Sequence, residues 1–147
     1  MRAAATKMSA GEVGNYLAQE FPQAFGPGRP NTIESVGPGS ARVRLTAGDR
    51  HLRPGGTVSG PTMMALCDAT MYVAILATIG PVALAVTTNF SINFLRKPEP
   101  GDLIADCKLF KVGKRLAVGE VSVWSAGNDE MVAHCVATYS IPPERET

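Results

Sequence analysis

The sequence predicts an α+β fold in which one long central helix is wrapped by a curved antiparallel sheet. Three observations lead there. Residues 61–79 form an almost uninterrupted apolar run rich in Ala, Leu and Met. Four β-type segments follow it, at 82–95, 103–112, 115–125 and 131–141, and the breaks between them carry turn residues. Two more strand-like segments precede it.

Taken in order, Ser9 is placed to cap a short helix, and Glu12 completes a capping box. That helix should run to about Phe21, before Pro22. Gly26, Pro27, Gly28 and Pro30 mark a loop, so residues 1–30 read as an N-terminal helix and loop leading into the sheet. Strands are expected at 31–36 and 41–46, on either side of Gly37-Pro38-Gly39-Ser40. In the second, Val43 and Leu45 alternate with Arg42 and Arg44, as in a hairpin with one buried face.

Residues 49–60 have the glycines and prolines of an irregular loop. Pro61 suits the first position of a helix, where an N–H would be unpaired anyway. From there to Ile79 the helix would measure roughly 28 Å at about 1.5 Å per residue. It is apolar on almost every face, which calls for burial in the core and leaves room for burial against another subunit. Gly80-Pro81 ends it. The later strands are parted at 97–102, at Val112-Gly113-Lys114 and at Ala126-Gly127-Asn128-Asp129, and residues 142–147 read as a flexible tail.

At 147 residues the chain is about the size of one domain, 1–147, and can bury a core of its own. A formal net charge of +1 gives no global field that would draw it to nucleic acid or an anionic membrane, so any anion must be bound locally. Cys67, Cys107 and Cys135 form an odd set without CxxC spacing. That suggests neither a disulfide framework nor a zinc ribbon, and fits a reduced, cytoplasmic setting. Cys67, beside Asp68, is expected as a small core residue. The first eight residues lack the apolar stretch of a signal peptide. The apolar run at 61–79 barely reaches membrane-spanning length and holds a central Asp and three Thr, so it reads as a core helix and no membrane partner is expected. His51 and His134 do not have a metal-ligand spacing, and neither a metal nor a cofactor is expected.

Between Arg53 and Arg96, Asp68 is the only charged side chain. A carboxylate in such surroundings is unfavourable without a partner, and perturbed carboxylates cluster at functional sites. Its helical neighbours Met64, Ala65, Met71 and Tyr72 cannot neutralise it. Two readings stay open: a structural acid satisfied by a hydroxyl or amide across an interface, or a catalytic base or nucleophile.

The turn from Arg53 to Pro61 is the second candidate, because the free N–H groups and positive dipole end of a helix start favour an oxyanion. Gly60 could present its amide unobstructed, while Ser59 could serve simply as a cap. No GxxxxGK[ST] pattern is present, and Ser59 lacks the GxSxG frame of a nucleophile elbow. In the third candidate, Thr87, Asn89, Ser91 and Asn93 alternate along a strand and should share one face, either solvated or holding a water beside a carboxylate. Arg96, Lys97, Lys111, Lys114 and Arg115 lie at strand ends and could gather phosphates.

Gly60 followed by Leu66-Cys67-Asp68, then Val86 to Arg96, then Pro100-Gly101-Asp102, then Gly113-Lys114-Arg115 make residues 53–143 resemble the hotdog-fold acyl-CoA thioesterases, in particular the PaaI-like group of phenylacetic acid metabolism. The resemblance implies a homodimer or homotetramer with sites at the subunit interface and acyl-CoA as substrate. It places the catalytic carboxylate at Asp68, the oxyanion-binding amide at Gly60 and a water-positioning hydroxyl at Thr87. Arg53, Ser59, Asn89, Arg96, Lys111, Lys114 and Arg115 become the candidate substrate-binding residues.

The chain departs from the family pattern in two places. Ser59-Gly60-Pro61 stands where the family has His-Gly-Gly, which removes an imidazole and one amide, and Arg53 stands where an Asn is frequent. The implied activity is hydrolysis of acyl-CoA thioesters, with Asp68 as general base or nucleophile. The alternatives are a non-catalytic acyl-CoA-binding hotdog module and a hydroxyacyl-thioester dehydratase, the latter weakened by the lack of a His near Asp68 in sequence.

Overall fold

The structure, a computed structural model, describes residues 6–82 and 84–143. Residues 1–5 of the expected N-terminal segment and 144–147 of the expected tail lie outside the described residues. Helix α1, Ala10–Glu20, starts as its capping box requires: the Glu12 amide donates to Ser9 Oγ at 3.1 Å, and the Ser9 amide donates to Glu12 Oε1 at 2.8 Å. Val13 and Leu17, one turn apart, are its buried side chains and pin it beside the sheet.

The strands are β1 (Asn31–Gly37), β2 (Ser40–Leu45), β3 (Val86–Phe94), β4 (Leu103–Val112), β5 (Leu116–Ser125) and β6 (Met131–Ser140). They form one antiparallel sheet in the order β1-β2-β4-β5-β6-β3. Helix α2, Gly60–Ile79, connects β2 to β3 and so carries the chain across the sheet to its far edge. It lies chiefly over β2, β4 and β5. The inward positions of those strands are small or aliphatic: Val43 and Leu45, then Ala105 and Cys107, then Ala117 and Val121. Against them α2 buries Leu66, Met71, Ile75 and Leu76, each contributing about 1.5–3 kcal/mol.

Gly119 shows how closely β4 and β5 approach around the bulge in their ladder. A Cβ there would lie 2.8 Å from the Lys108 carbonyl oxygen and 2.9 Å from Leu109 Cδ2, so the position admits no side chain without a shift. Hydroxyls along α2 are paired locally. Thr70 donates to the Leu66 carbonyl and Thr78 to the Ala74 carbonyl, each at 2.7 Å, and Thr78 also accepts from the Gly39 amide at 3.2 Å, fastening the β1–β2 hairpin to the helix. By length and composition α2 could cross a membrane, with mean hydropathy 1.6, and 61 % of that stretch is buried inside the protein.

Four differences from the sequence-based expectation matter for the site. The helix starts one residue early, so Pro61 is its second residue and Gly60 its first. Within the expected irregular loop, Asp49–His51 form a 3-10 turn and Leu52 bridges Val58 antiparallel. The third-strand segment opens later than residue 82: the Ala85 amide bonds back to the Val82 carbonyl at 3.0 Å, and pairing begins at Val86. Finally, β3 carries a bulge at Thr88, because Thr87 pairs with Tyr139 and Asn89 with Thr138. The extra residue reverses the alternation, so the expectation that Thr87, Asn89, Ser91 and Asn93 share a face is corrected. Thr87 joins the half-buried side with Phe90 and Ile92, while Asn89, Ser91 and Asn93 are exposed.

Candidate active site

The sheet covers most of α2 but leaves one stripe open. Pro61, Met64 and Ala65 are exposed on it, and Asp68 and Tyr72 are half-buried, at the three- and four-residue spacing of one helical face. Asp68 is the charged group of that stripe. Thr87 Oγ1 donates to Asp68 Oδ1 at 2.5 Å, and the Tyr139 hydroxyl donates to the same oxygen at 2.9 Å while lying 3.0 Å from the Asp68 carbonyl oxygen. Thr87 and Tyr139 are direct partners in the β3–β6 register, so the sheet itself delivers both hydroxyls to one carboxylate oxygen. Among the described residues, Oδ2 has no protein donor.

The Tyr72 ring stacks on Tyr139, with centroids 6.1 Å apart and planes at 17°. Burial, followed by the Asp68 charge, pushes the Tyr139 hydroxyl well above the usual tyrosine range. Burial also pushes Tyr72 up to about 12, with Tyr16 and Glu20 adding to it. Tyr139 therefore stays a donor throughout the neutral range. Cys67, on the sheet side of the helix, is fully buried; its hydrogen bond with Cys135 and its burial push its thiol up, which suits a core residue and not a nucleophile.

At the start of α2 the Ser59 hydroxyl accepts the Thr62 amide at 3.3 Å and lies 2.8 Å from the Thr62 hydroxyl, so Ser59 is the helix cap. As the first helical residue, Gly60 has an amide with no intrahelical acceptor. The Phe94 ring closes on its Cα, and a Cβ at this position would sit 3.3 Å from Phe94 Cζ. Pro61 offers no N–H, so the helix start supplies one outward amide where a Gly at 61 would have supplied two.

Arg53, Gly60 and Arg96 line one groove of about 680 Å³ together with Phe94 and Lys97. Arg96 Nε donates to the Met131 carbonyl at 3.0 Å, and its Nη1 lies 3.6 Å from Glu130. Lys111, Lys114 and Arg115 are exposed at the β4–β5 turn, where the Ile141 amide donates to the Arg115 carbonyl at 2.8 Å. That turn adjoins the Val86 end of β3, whereas Arg96 follows its Phe94 end. The bases singled out from the sequence therefore form two groups at opposite ends of the sheet. Asn89 lies on the exposed face, away from Asp68. His51 accepts the Gly48 amide at 2.8 Å and His134 pairs with Glu120 at 2.8 Å; among the described residues no imidazole contacts Asp68.

Two contributors escaped the sequence reading. Tyr139 is 71 residues from Asp68 and meets it only through strand pairing. Its signal was a tyrosine ending the inward series Ala133, Cys135, Ala137, since a buried Tyr hydroxyl needs a partner. Thr57, in the loop before the helix, is 7 % exposed and lines the groove.

The family model described as the thioesterase superfamily matches residues 55–132. Among solved structures, the chain is similar to the "putative thioesterase" of Silicibacter sp. TM1040, with 43 % identity, 97 % of each chain covered and a TM-score of 0.87. It is also similar to a mutant form of the phenylacetic acid degradation protein PaaI of Thermus thermophilus, with 26 % identity, 76 % and 93 % coverage and a TM-score of 0.66. A Streptococcus mutans protein whose structure is bound to acetyl-CoA shares 23 % identity over 83 % of this chain and 96 % of its own, with a TM-score of 0.70, a likeness of fold. The helix on its six-stranded antiparallel sheet, the carboxylate on the open stripe and the match across more than half of the chain lead to one conclusion: the chain belongs to the thioesterase superfamily, as a hotdog-fold protein of the PaaI-like group.

Proposed function

We propose that the protein hydrolyses acyl-CoA thioesters to the free acid and CoA, at a site completed by two copies of the chain. The observation that carries this reading is the Asp68 carboxylate on the open stripe of α2, held through Oδ1 by Thr87 and Tyr139 and open at Oδ2. Gly60 and Asp68 are eight residues apart on one helix, about 12 Å along its axis, too far to serve one carbonyl. A second copy related by a two-fold axis can set its own helix start against this Asp68, and the same axis then makes two equivalent sites.

In such a site Asp68 Oδ2 takes a proton from water as the oxygen adds to the thioester carbon. The carbonyl pair moves onto oxygen beside the Gly60 amide of the second copy, and collapse expels the CoA thiolate, which receives the proton from Asp68. Direct attack by the carboxylate, giving an anhydride that water then opens, uses the same groups. Thr87 and Tyr139 fix the carboxylate, and Thr87 is placed to orient the water. A thiolate leaves readily, so a single amide suits this leaving group.

Release of free thiol from short, medium, long and aromatic acyl-CoAs tests the proposal. Turnover should fall at least about a hundredfold in Asp68→Asn, the lower range for loss of a general base. A second reading, an acyl-CoA-binding module without turnover, draws on Pro61, which removes a donor that the family's Gly would provide. A folded oligomer that binds acyl-CoA and releases no thiol would establish it instead.

A further inference from the structure

The groove at the start of α2 holds more cationic chemistry than an oxyanion amide requires. Arg53 and Thr57 reach it from the loop before the helix, and Phe94, Arg96 and Lys97 from the end of β3; among the described residues of one copy no acidic side chain lines it. Arg96 is partly engaged by Met131 and Glu130. Arg53 and Lys97 meet no carboxylate within ion-pair distance among the described residues. Thr57 adds an independent sign. Its carbonyl accepts the Arg53 amide at 2.9 Å, which sets the two residues side by side. Thr57 is 7 % exposed, and its hydroxyl has no hydrogen-bond partner among the described residues while still reaching the solvent of the groove. A hydroxyl whose residue is almost wholly packed but which opens onto a groove of cations is placed to donate to an anionic acceptor.

We infer that this groove is a subsite for an anionic oxygen group carried by the substrate, and that the group is a carboxylate at the far end of the acyl chain. The inference rests on Gly60 as the oxyanion donor. Thr57 is three positions before Gly60, at most about 10 Å of chain, and both line the same groove as Arg53, so an anion held by Thr57 and Arg53 shares that groove with the Gly60 amide. A five-carbon dicarboxylic acyl group spans roughly 5 Å between its carbonyl carbons, which fits. The pantetheine arm of CoA puts roughly 16 Å of extended chain between sulfur and the first phosphate, which overshoots. Arg53 grips the carboxylate with its planar fork, Thr57 donates a further hydrogen bond and Lys97 adds charge. The CoA phosphates are left to Lys111, Lys114 and Arg115 at the other end of the sheet.

The test compares glutaryl-CoA with its uncharged counterpart pentanoyl-CoA, and the same two acyl groups as N-acetylcysteamine thioesters, which carry no phosphate. Wild type should favour the glutaryl group at least tenfold in kcat/KM on both carriers. Arg53→Met should cut that preference at least fivefold on both, Thr57→Val should cut it less, and Arg53→Lys should restore part of it. A loss in Arg53→Met that is equal for both acyl groups and confined to the CoA thioesters would identify a phosphate as the anion and overturn the acyl-carboxylate assignment. A wild type without preference, or a preference untouched by Arg53→Met, would overturn the subsite. If no thioester is turned over, calorimetric titration of the two CoA thioesters into wild type and Arg53→Met separates the claims. Tighter binding of glutaryl-CoA that is lost in the variant keeps the subsite while hydrolysis fails, and equal binding removes it.

Discussion

A single carboxylate oxygen, Asp68 Oδ1, receives hydroxyls from two neighbouring strands, and the consequences are sharpest at the scale of residues. Tyr139→Phe removes one donor and leaves Thr87, so kcat/KM is expected to fall by about ten- to a hundredfold, in line with about 1.5–3 kcal/mol for a hydrogen bond to a charged group. Thiol-release kinetics on the purified variant check this, and unchanged kcat/KM would relegate Tyr139 to packing. The tyrosines also set a pH limit. Tyr72 is pushed up to about 12 and Tyr139 is pushed up as well, so above the unfolded value of about 10 the folded state keeps protons that the unfolded chain has released. Their contribution is fully present below about pH 10 and is lost as pH rises toward the folded values. Urea midpoints should therefore decline from about pH 10 upward, and less steeply in Tyr139→Phe. Asp68 itself was legible in the sequence as a lone charge in an apolar run, as was Gly60 from its place before a helical pattern. Tyr139 was not, because nothing local couples residues 71 positions apart before the strand register is known.

The elements follow their local chemistry closely. The capping box at Ser9 and Glu12, the cap at Ser59 and the stop at Gly80, whose φ of 93° suits glycine, are all readable as residue types in order. Less readable is what depends on pairing. The bulge at Thr88 turns Asn89, Ser91 and Asn93 away from Thr87, and the strict alternation of polar residues in that segment gives no hint of it. Gly119 belongs to the same class: its necessity comes from the Lys108 carbonyl across the ladder. Gly119→Ala should lower stability by about 1–3 kcal/mol through overpacking, measured by urea denaturation, and a neutral result would mean that β4 yields freely around its bulge at Phe110. Ser59→Ala should cost about 1 kcal/mol through loss of the α2 cap, with only a small effect on turnover, because the hydroxyl is already committed to Thr62.

At the scale of the molecule, several of the apolar side chains that stay exposed are grouped, although Phe21 and Phe110 lie elsewhere. Met64 projects from the open stripe of α2, while Val86, Phe94 and Leu95 lie along or just beyond β3, the edge strand of the sheet. An edge strand with free backbone groups beside an apolar stripe is a surface suited to a second copy, and the separation of Gly60 from Asp68 on one helix asks for the same thing. The most direct measurement joins two inactive variants: Asp68→Asn, which lacks the carboxylate, and Gly60→Pro, which lacks the amide, co-expressed with different tags and purified through both. Each parent alone should be inactive. A heterodimer has one doubly damaged site and one with Asp68 and Gly60 both intact, so it should recover about half of the wild-type activity. Folded heterodimers that remain as inactive as their parents, or a Gly60→Pro homodimer with wild-type turnover, would contradict the composite site.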